Sequence, residues 1–432
     1  MLLFTLLAFG LMGIISRFLV GSRMPVILLL SAGSIALISP ASLLLCVITA
    51  TINFFLLRAA LKKSVFILSV AFNILLLFAY HLYPGLYKDL GWSGLVVILG
   101  FSYLCLQQIG YLCKVRFGQS EAPANFIYYM TAVLYLPKFF SGPIASLPEV
   151  GSQIDSPGES KVSLGLNRIL LGLFKKLVLA ESLSPMVHSV FDFGDPYPGL
   201  TVLAGALLFS MQLYFDFSGY SDIAIGVSAI WGIALPENFN FPFKQKSWSA
   251  FWKSWHSSLT NWLWQFVFNP IYLVLNRKGL NKKLSVLICA TCVFAGMAFF
   301  NGLQSGFFIS AGVFAAMYFG EQAFGLKENY FRQPLIFLSF SFSLIYFRHP
   351  AFNDYSQITK NIFNENFIPN NWLSTFFAPL ASGGTQHDHF NLAVSLSLCF
   401  VFLVFERKIY SLFSQNKINF AAWFVLLILL AV

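Results

Sequence analysis

The stretch that decides the fold is Met211–Gly226, with the sequence MQLYFDFSGYSDIAIG. It is apolar enough to cross a bilayer, yet an ionised Asp at the bilayer centre costs about 2.5–3.5 kcal/mol. We therefore predict a helix in the protein interior, with polar partners on both sides, that either lines a substrate tunnel or belongs to a buried hydrogen-bond network. On a helix, the polar side chains fall on two nearly opposite faces, Gln212, Asp216 and Tyr220 on one and Ser218, Ser221 and Asp222 on the other.

The whole chain has the composition of a membrane protein. Its 432 residues are 57% hydrophobic and only 10% charged, whereas soluble domains carry roughly 25% charged residues. Backbone groups in lipid must bond within their own segment, so the long apolar runs are predicted to be helices. Pro25–Leu57 and Phe307–Tyr346 are each long enough for two spans, which gives about ten to thirteen spans in all. We expect residues 1–432 to form a single polytopic membrane domain.

The formal charge of +10 is concentrated in short segments between apolar runs. This positive-inside pattern predicts loops that face the cytoplasm and its anionic lipids. No basic patch lies elsewhere, which argues against a nucleic-acid partner. The basic segments are Lys62-Lys63, Lys114–Arg116, Lys175-Lys176, Lys244–Lys253, Arg277–Lys283 and Arg407-Lys408.

Two further segments are polar or broken. Tyr135–Ile144 carries two prolines and a glycine at membrane depth, which predicts either a re-entrant element beside a cavity or an ordinary kinked span. Ser146–Val162 is predicted to be an irregular loop. The six cysteines are expected to be small buried side chains, and no metal site is predicted because Cys289 and Cys292 lie inside an apolar run.

A tryptophan-rich helix follows the proline-containing linker Leu235–Phe243. The apolar side chains Trp248, Trp252, Trp255, Leu259 and Leu263 recur with helical spacing. Polar and basic residues on the other side predict one interfacial helix on the cytoplasmic side. His256 lies at the edge of the stripe, where it is either a proton-transfer residue or a hydrogen-bonded interfacial histidine.

Three blocks of this region together resemble the membrane-bound O-acyltransferase (MBOAT) family, in particular its bacterial branch that modifies alginate and teichoic acids. The blocks are Gln212–Gly226, Leu235–Pro242 and Phe251–Trp262. The Phe139–Ile144 segment is also similar, and the resemblance covers roughly residues 95–370.

The resemblance implies an all-α integral membrane protein, a ring of about 11–13 transmembrane helices with short re-entrant and interfacial helices around a central tunnel. It implies transfer of an acyl group from a cytoplasmic thioester donor, acyl carrier protein or acyl-CoA, to a hydroxyl of a cell-envelope polymer or exopolysaccharide. No bound cofactor is expected. Membrane lipids and an extracytoplasmic acyltransferase partner are expected, in a multi-pass protein of the bacterial cytoplasmic (inner) membrane.

The resemblance also assigns site residues. His256 matches the first of two family histidines, while Asn301 stands where the second is expected. An amide cannot take a proton near pH 7, and losing a general base typically costs about 10²–10⁴-fold. The expected tunnel residues are Gln212, Asp216, Tyr220, Asp222, Trp255 and Ser257, and the expected donor- or partner-binding residues are Lys244, Lys246 and Lys253.

Three functions remain open at this stage. The first is an acyltransferase with an atypical site. The second is a catalytically impaired homologue that acts as an acyl conduit or scaffold for a partner enzyme. The third is a transporter, which broken helices and intramembrane acids would suit.

Overall fold

The computed structural model describes residues 2–15, 23–82, 100–191, 199–325, 328–362 and 386–414. Within these ranges every regular element is a helix, as the sequence predicts. The packing separates into two compact units, and the chain passes from one to the other more than once. The first unit is Met1–Leu170 with Tyr220–Glu237, and the second is Leu171–Gly219 with Asn238–Val432. The single membrane domain expected from sequence stays a prediction.

The helices of the first unit are mostly short or medium in length. They are α1 (Leu2–Ile15), α2 (Arg23–Ile38), α3 (Pro40–Ala59), α4 (Lys63–Leu82), α5 (Phe101–Arg116), α6 (Phe126–Leu134), α7 (Leu136–Phe139), α8 (Leu147–Asp155) and the start of α9 (Val162–Leu173). The 32-residue helix α11 (Gly199–Ile230) contributes its last turns to this unit and its earlier turns to the second.

The second unit holds the remaining helices. After α9 come a π-helical segment (Phe174–Ala180) and α10 (Glu181–Phe191). Beyond α11 lie a 3₁₀ turn (Pro242–Lys244), α12 (Trp248–Ser254), α13 (Ser257–Leu263), a π-helical segment (Trp264–Phe268), α14 (Asn269–Arg277), α15 (Lys282–Asn301), α16 (Ser305–Ala323), α17 (Arg332–Arg348), α18 (Phe352–Ile362) and α19 (Gln386–Ser414).

Four described helices are long and apolar enough to cross a membrane, namely α3, α4, α11 and α15. Each of the two longest apolar runs divides into two helices, α2 with α3 and α16 with α17, while two full spans in each run stay a prediction. The first pair divides at Ser39, whose hydroxyl accepts a hydrogen bond from the Ser42 amide (3.2 Å), and Pro40 then begins α3 because proline is well tolerated in a first turn. The total number of spans stays a prediction.

The broken segment is confirmed as a break. It contains α7, with 4 residues, and directly follows α6, with 9. At about 1.5 Å per residue both fall far short of a bilayer core of about 30 Å. Gly142 fixes the turn, since a Cβ atom there would lie 2.4 Å from the Pro137 carbonyl oxygen.

Several loop predictions are wrong. Lys114–Arg116 forms the last turn of α5, and the second half of Lys244–Lys253 lies in α12. Lys175-Lys176 lies in the π-helical segment, and Lys175 is fully buried among protein partners instead of facing lipid headgroups. Arg407-Lys408 lies within α19. The predicted loop Ser146–Val162 contains α8, because Leu147, Val150 and Ile154 share one face and are buried.

Candidate active site

The candidate site is built around a break at His256. Helix α12 ends at Ser254, Trp255 is extended, and α13 begins at Ser257. His256 has φ 43° and ψ 48°, the left-handed conformation. Such a conformation costs a non-glycine residue of order 1–3 kcal/mol and persists only where surrounding contacts impose it. The single continuous helix predicted from the apolar spacing is therefore wrong, and the interruption falls at the predicted catalytic residue.

Asn238 imposes this turn. Its carbonyl accepts the Ser257 amide at 2.9 Å, and its side-chain oxygen accepts the Ser258 amide at 3.4 Å and the Ser258 hydroxyl at 2.8 Å. Two residues on, the Asn240 amide donates to the Ser254 carbonyl at 2.9 Å. Asn238 is fully buried. Sequence reasoning treated this asparagine as part of the linker Leu235–Phe243 and missed its role.

Aromatic rings surround the imidazole. The edge of the Phe217 ring faces His256, with ring centroids 4.7 Å apart, and Phe300 lies at 6.3 Å. Only 8% of His256 is exposed. Burial disfavours the charged imidazolium and lowers the pKa of His256 from its ordinary 6.5 to about 3. The side chain is therefore neutral near pH 7 and able to accept a proton.

The tryptophan stripe packs against protein. Trp252 contacts the rings of Phe294 and Phe314 at 5.2 and 4.6 Å, and Trp255 contacts Phe340 at 4.7 Å. All three tryptophans are buried. Other helices of the second unit cover these rings, and the interfacial position on the cytoplasmic side stays a prediction.

Glu321 from α16 fastens the start of α12. Its carboxylate accepts the Trp248 amide at 2.6 Å, the Ser249 amide at 3.2 Å and the Ser249 hydroxyl at 2.5 Å. A carboxylate at a helix N-terminus satisfies otherwise unpaired amides and complements the helix dipole. Sequence reasoning also missed this residue, since its partners lie more than 70 positions away.

Asn301, the expected second catalytic position, is the last residue of α15. Its side chain is exposed and donates to the Met297 carbonyl at 2.8 Å, one turn back on its own helix. The neighbouring Phe300 supplies the ring that contacts His256. Helix α15 therefore reaches the imidazole through Phe300, while the Asn301 amide is occupied locally.

Helix α11 has polar partners on both sides, as predicted. In the second unit, Asp216 pairs with Lys176, and Ser210 donates to the Ser341 hydroxyl at 2.7 Å. In the first unit, the carboxylate of Asp222 is 2.6 Å from Arg168 Nε. Gln212 is half-buried, Trp255 and Ser257 adjoin His256, and Tyr220 is buried in the first unit. The shared tunnel lined by these residues stays a prediction.

The three expected donor-binding lysines differ in their surroundings. Lys244 donates to the Val404 carbonyl at 3.0 Å, and burial lowers its pKa. The Lys246 ammonium lies 3.5 Å from the Tyr330 ring centroid and lowers the pKa of that phenol. Lys253 is exposed on α12, three residues before His256.

A buried polar network connects α19 with the site. Lys175 donates to Ser218 at 3.2 Å and to the Tyr410 hydroxyl, and its ammonium lies 4.6 Å from the Tyr410 ring centroid. The Tyr214 hydroxyl donates to buried Glu406. The Tyr214 ring in turn lies 6.0 Å from Trp255, the neighbour of His256. Sequence reasoning missed the network because it assigned Lys175 to a loop.

Comparison with known proteins identifies the family. The family model of MBOAT, the membrane-bound O-acyltransferase family, matches residues 27–373. A protein described as probable alginate O-acetylase from Pseudomonas putida is 32% identical over 250 residues, 57% of this chain and 50% of that protein. A peptidoglycan O-acetyltransferase of Helicobacter pylori is 32% identical over 206 residues, 41% and 39% of the two chains.

A third relative is a teichoic acid D-alanyltransferase of Streptococcus thermophilus, 30% identical over 238 residues, 52% of this chain and 56% of that protein. The chain thus spans about a third to just over half of the length of the curated relatives it matches. The family model, in contrast, covers most of this chain and includes both His256 and Asn301. The chain belongs to the membrane-bound O-acyltransferase family.

Proposed function

We propose that the chain is a membrane acyltransferase that moves an acyl group from a cytoplasmic thioester donor to a hydroxyl of a cell-envelope polymer. The observation that carries the proposal is His256, a buried histidine in a left-handed turn imposed by Asn238. The named activities of the relatives, acetylation of alginate and peptidoglycan and D-alanylation of teichoic acid, support acyl transfer as the reaction class.

The chemistry follows from a neutral imidazole. The acceptor hydroxyl attacks the thioester carbonyl carbon, the carbon–sulfur bond breaks, and the products are an ester and a free thiol. His256 would take the hydroxyl proton as the oxygen attacks and return it to the departing thiolate. An uncharged imidazole has the protonation state that a general base requires at pH 7.

The donor is a thioester on acyl carrier protein or coenzyme A, both of which carry negative charge. Lys253 is exposed close to His256 in sequence and is the first candidate for contact with that charge, with Lys244 and Lys246 nearby in the chain. In this proposal an extracytoplasmic partner completes the transfer of the acyl group to the acceptor polymer. We expect no bound cofactor, and the expected cellular location is the bacterial inner membrane.

The test is transfer of a radiolabelled acetyl group from thioester donor to envelope polymer in membranes that contain the chain. We expect His256→Ala to lower transfer by about 10²-fold or more at equal protein level. His188→Ala is the matched control, because His188 is an exposed histidine of the same unit. Unchanged transfer in His256→Ala would overturn the assignment.

A second candidate is an acyl conduit whose partner supplies the base. Asn301 favours it, because an amide bonded to its own helix cannot accept a proton. The variant Asn301→His distinguishes a slow acyltransferase from an acyl conduit. If this variant raises transfer in membranes without a partner, the wild type is a slow enzyme, whereas no change there and unaltered transfer with the partner present support the conduit.

The transporter alternative predicts uptake without acyl chemistry. Reconstituted liposomes that take up a substrate in the absence of any thioester donor would support it. In the acyltransferase proposal, such liposomes show no donor-independent uptake.

A further inference from the structure

A groove of about 510 Å³ lies in the first unit, where α3 and α5 end. Its walls are Leu57 and Leu61 on one side and Val115 with the loop of residues 118–122 on the other. Gly118 adopts a φ of 69°, which turns the chain away from the end of α5 and shapes the loop. The groove is remote in sequence from the residues assigned to acyl transfer.

The groove lies within a basic region of the surface, although its own lining holds one cation and one acid. Arg58 lines it, and Lys62, Lys63 and Arg116 adjoin it, against one acid among the lining residues, Glu121. Both arginines donate to neutral carbonyls: Arg58 to Pro123 and Ala124 at 3.4 and 2.9 Å, and Arg116 to Leu61 at 2.5 Å. Carbonyl partners fix the guanidinium groups without cancelling their charge.

The nearby ion pair of Lys114 and Glu149 adds no net charge to the groove region. Lys114 lies 2.6 Å from Glu149, so its charge is compensated locally. Lys62 and Lys63 are both exposed at the turn between α3 and α4. The groove region therefore presents three net positive charges, four cations less one acid.

An exposed apolar stripe leads to this charge. Along α3, Leu44, Ile48, Ile52 and Phe55 are 54%, 47%, 40% and 63% exposed. Their spacing places them on one face of the helix. Arg58, three residues beyond Phe55, continues that face, and Lys62 follows in the turn after the helix. α3 is long and apolar enough to cross a membrane, so the stripe is a surface suited to acyl chains.

We propose that this groove binds the phosphate headgroup of an anionic phospholipid, whose acyl chains lie along the α3 stripe. An amphiphile matches both parts of the surface, the cation cluster and the apolar face continuous with it. An acidic protein would meet the cations but would leave the stripe uncovered. Juxtamembrane cations attract anionic lipids by about 1 kcal/mol each, and the groove adds a shaped site for one headgroup.

The test measures lipid binding to the detergent-solubilised full chain by native mass spectrometry. Phosphatidylglycerol and phosphatidylcholine with identical acyl chains serve as probes. We expect phosphatidylglycerol to bind at least tenfold more tightly. The double variant Lys62→Gln/Lys63→Gln should weaken phosphatidylglycerol binding by roughly tenfold to thirtyfold. These lysine side chains are exposed, so the variant retains the fold.

The matched control is Lys282→Gln/Lys283→Gln, which removes two exposed lysines at another helix start. A general charge effect would weaken binding equally in both pairs, and that result overturns the proposal. A second variant, Ser120→Trp, fills the groove without changing its charge and should also weaken binding. Retained phosphatidylglycerol binding in Ser120→Trp, or equal binding of phosphatidylcholine by the wild type, contradicts a headgroup site here.

Discussion

His256 combines a strained backbone with an uncharged side chain. His256 lies between two short helices in a left-handed turn, and its side chain projects from that turn. In a continuous helix the side chain would lie along the helix surface. The hydrogen bonds of Asn238 hold that turn from a different part of the chain. The position of the imidazole therefore depends on one amide that carries no chemistry of its own.

The role of Asn238 gives a prediction at the residue scale. Asn238→Ala removes the acceptor for the Ser258 hydroxyl and leaves a buried donor unsatisfied, so we expect a stability loss of about 1–3 kcal/mol and reduced acyl transfer. Thermal unfolding in detergent and the transfer assay measure the two effects. Asn276→Ala, at an exposed asparagine, is the control. Full transfer activity in Asn238→Ala would show that the turn at His256 does not depend on the Asn238 side chain.

The pKa of His256 gives a second prediction. Its folded pKa lies below the ordinary value of 6.5, at about 3, so the unfolded chain binds more protons in the window between them. Stability from this group is present above about pH 6.5 and is lost progressively as the pH falls. Thermal unfolding of the wild type should show a decline below pH 6.5 that is smaller in His256→Gln. An identical pH dependence in both proteins would contradict the buried neutral imidazole.

At the element scale, α9 and α11 approach backbone to backbone in the first unit. A Cβ atom on Gly165 would lie 2.6 Å from the Gly226 carbonyl oxygen, and one on Gly226 would lie 2.6 Å from the Gly165 carbonyl oxygen. Only glycines allow this reciprocal contact. Bulkier residues at either position would force the helices apart and disturb the nearby pairing of Asp222 with Arg168.

We therefore expect Gly165→Ala to destabilise the protein by about 1–3 kcal/mol through overpacking. Gly312→Ala is the matched control, because a Cβ atom there meets nothing within 4 Å, and alanine raises helix propensity by about 1 kcal/mol. Opposite shifts in thermal unfolding temperature are expected. Equal shifts in the two variants would show that α9 can move away at little cost.

Most helices could be predicted from apolar periodicity and length, since membrane spans depend on local composition. The polar partners of α11 could be predicted in kind, because an intramembrane Asp requires one. The break at His256 could not, since Trp248 to Leu263 has helical spacing throughout and the interruption comes from hydrogen bonds to Asn238. Lys175 was assigned to a loop for a similar reason: its partners Ser218 and Tyr410 are distant in sequence.

At the scale of the whole molecule, the late helix α19 belongs to the site. The family match ends at residue 373, whereas α19 begins at Gln386. Glu406 on α19 nevertheless accepts from Tyr214, whose ring packs beside Trp255. The part of the chain that defines the family is thus braced by a helix beyond it.

This bracing predicts that Tyr214→Phe lowers stability by about 1–3 kcal/mol, because it leaves the buried Glu406 carboxylate without that donor hydroxyl. Acyl transfer should fall as well, through displacement of Trp255. Tyr272→Phe, at a half-buried tyrosine of α14, is the control. Thermal unfolding and transfer assays on both variants test this stabilisation. Equal results for the two variants would show that the hydrogen bond to α19 does not support the site.

The division of α11 between two units has a consequence for biosynthesis. The first unit needs Tyr220–Glu237, which the ribosome delivers only after the 49-residue stretch Leu171–Gly219 of the other unit. During synthesis, the α9 surface around Gly165 therefore has no contact with Gly226 of α11 until the middle of the chain has been made. Translation arrested before residue 237 would leave that nascent unit without its last segment.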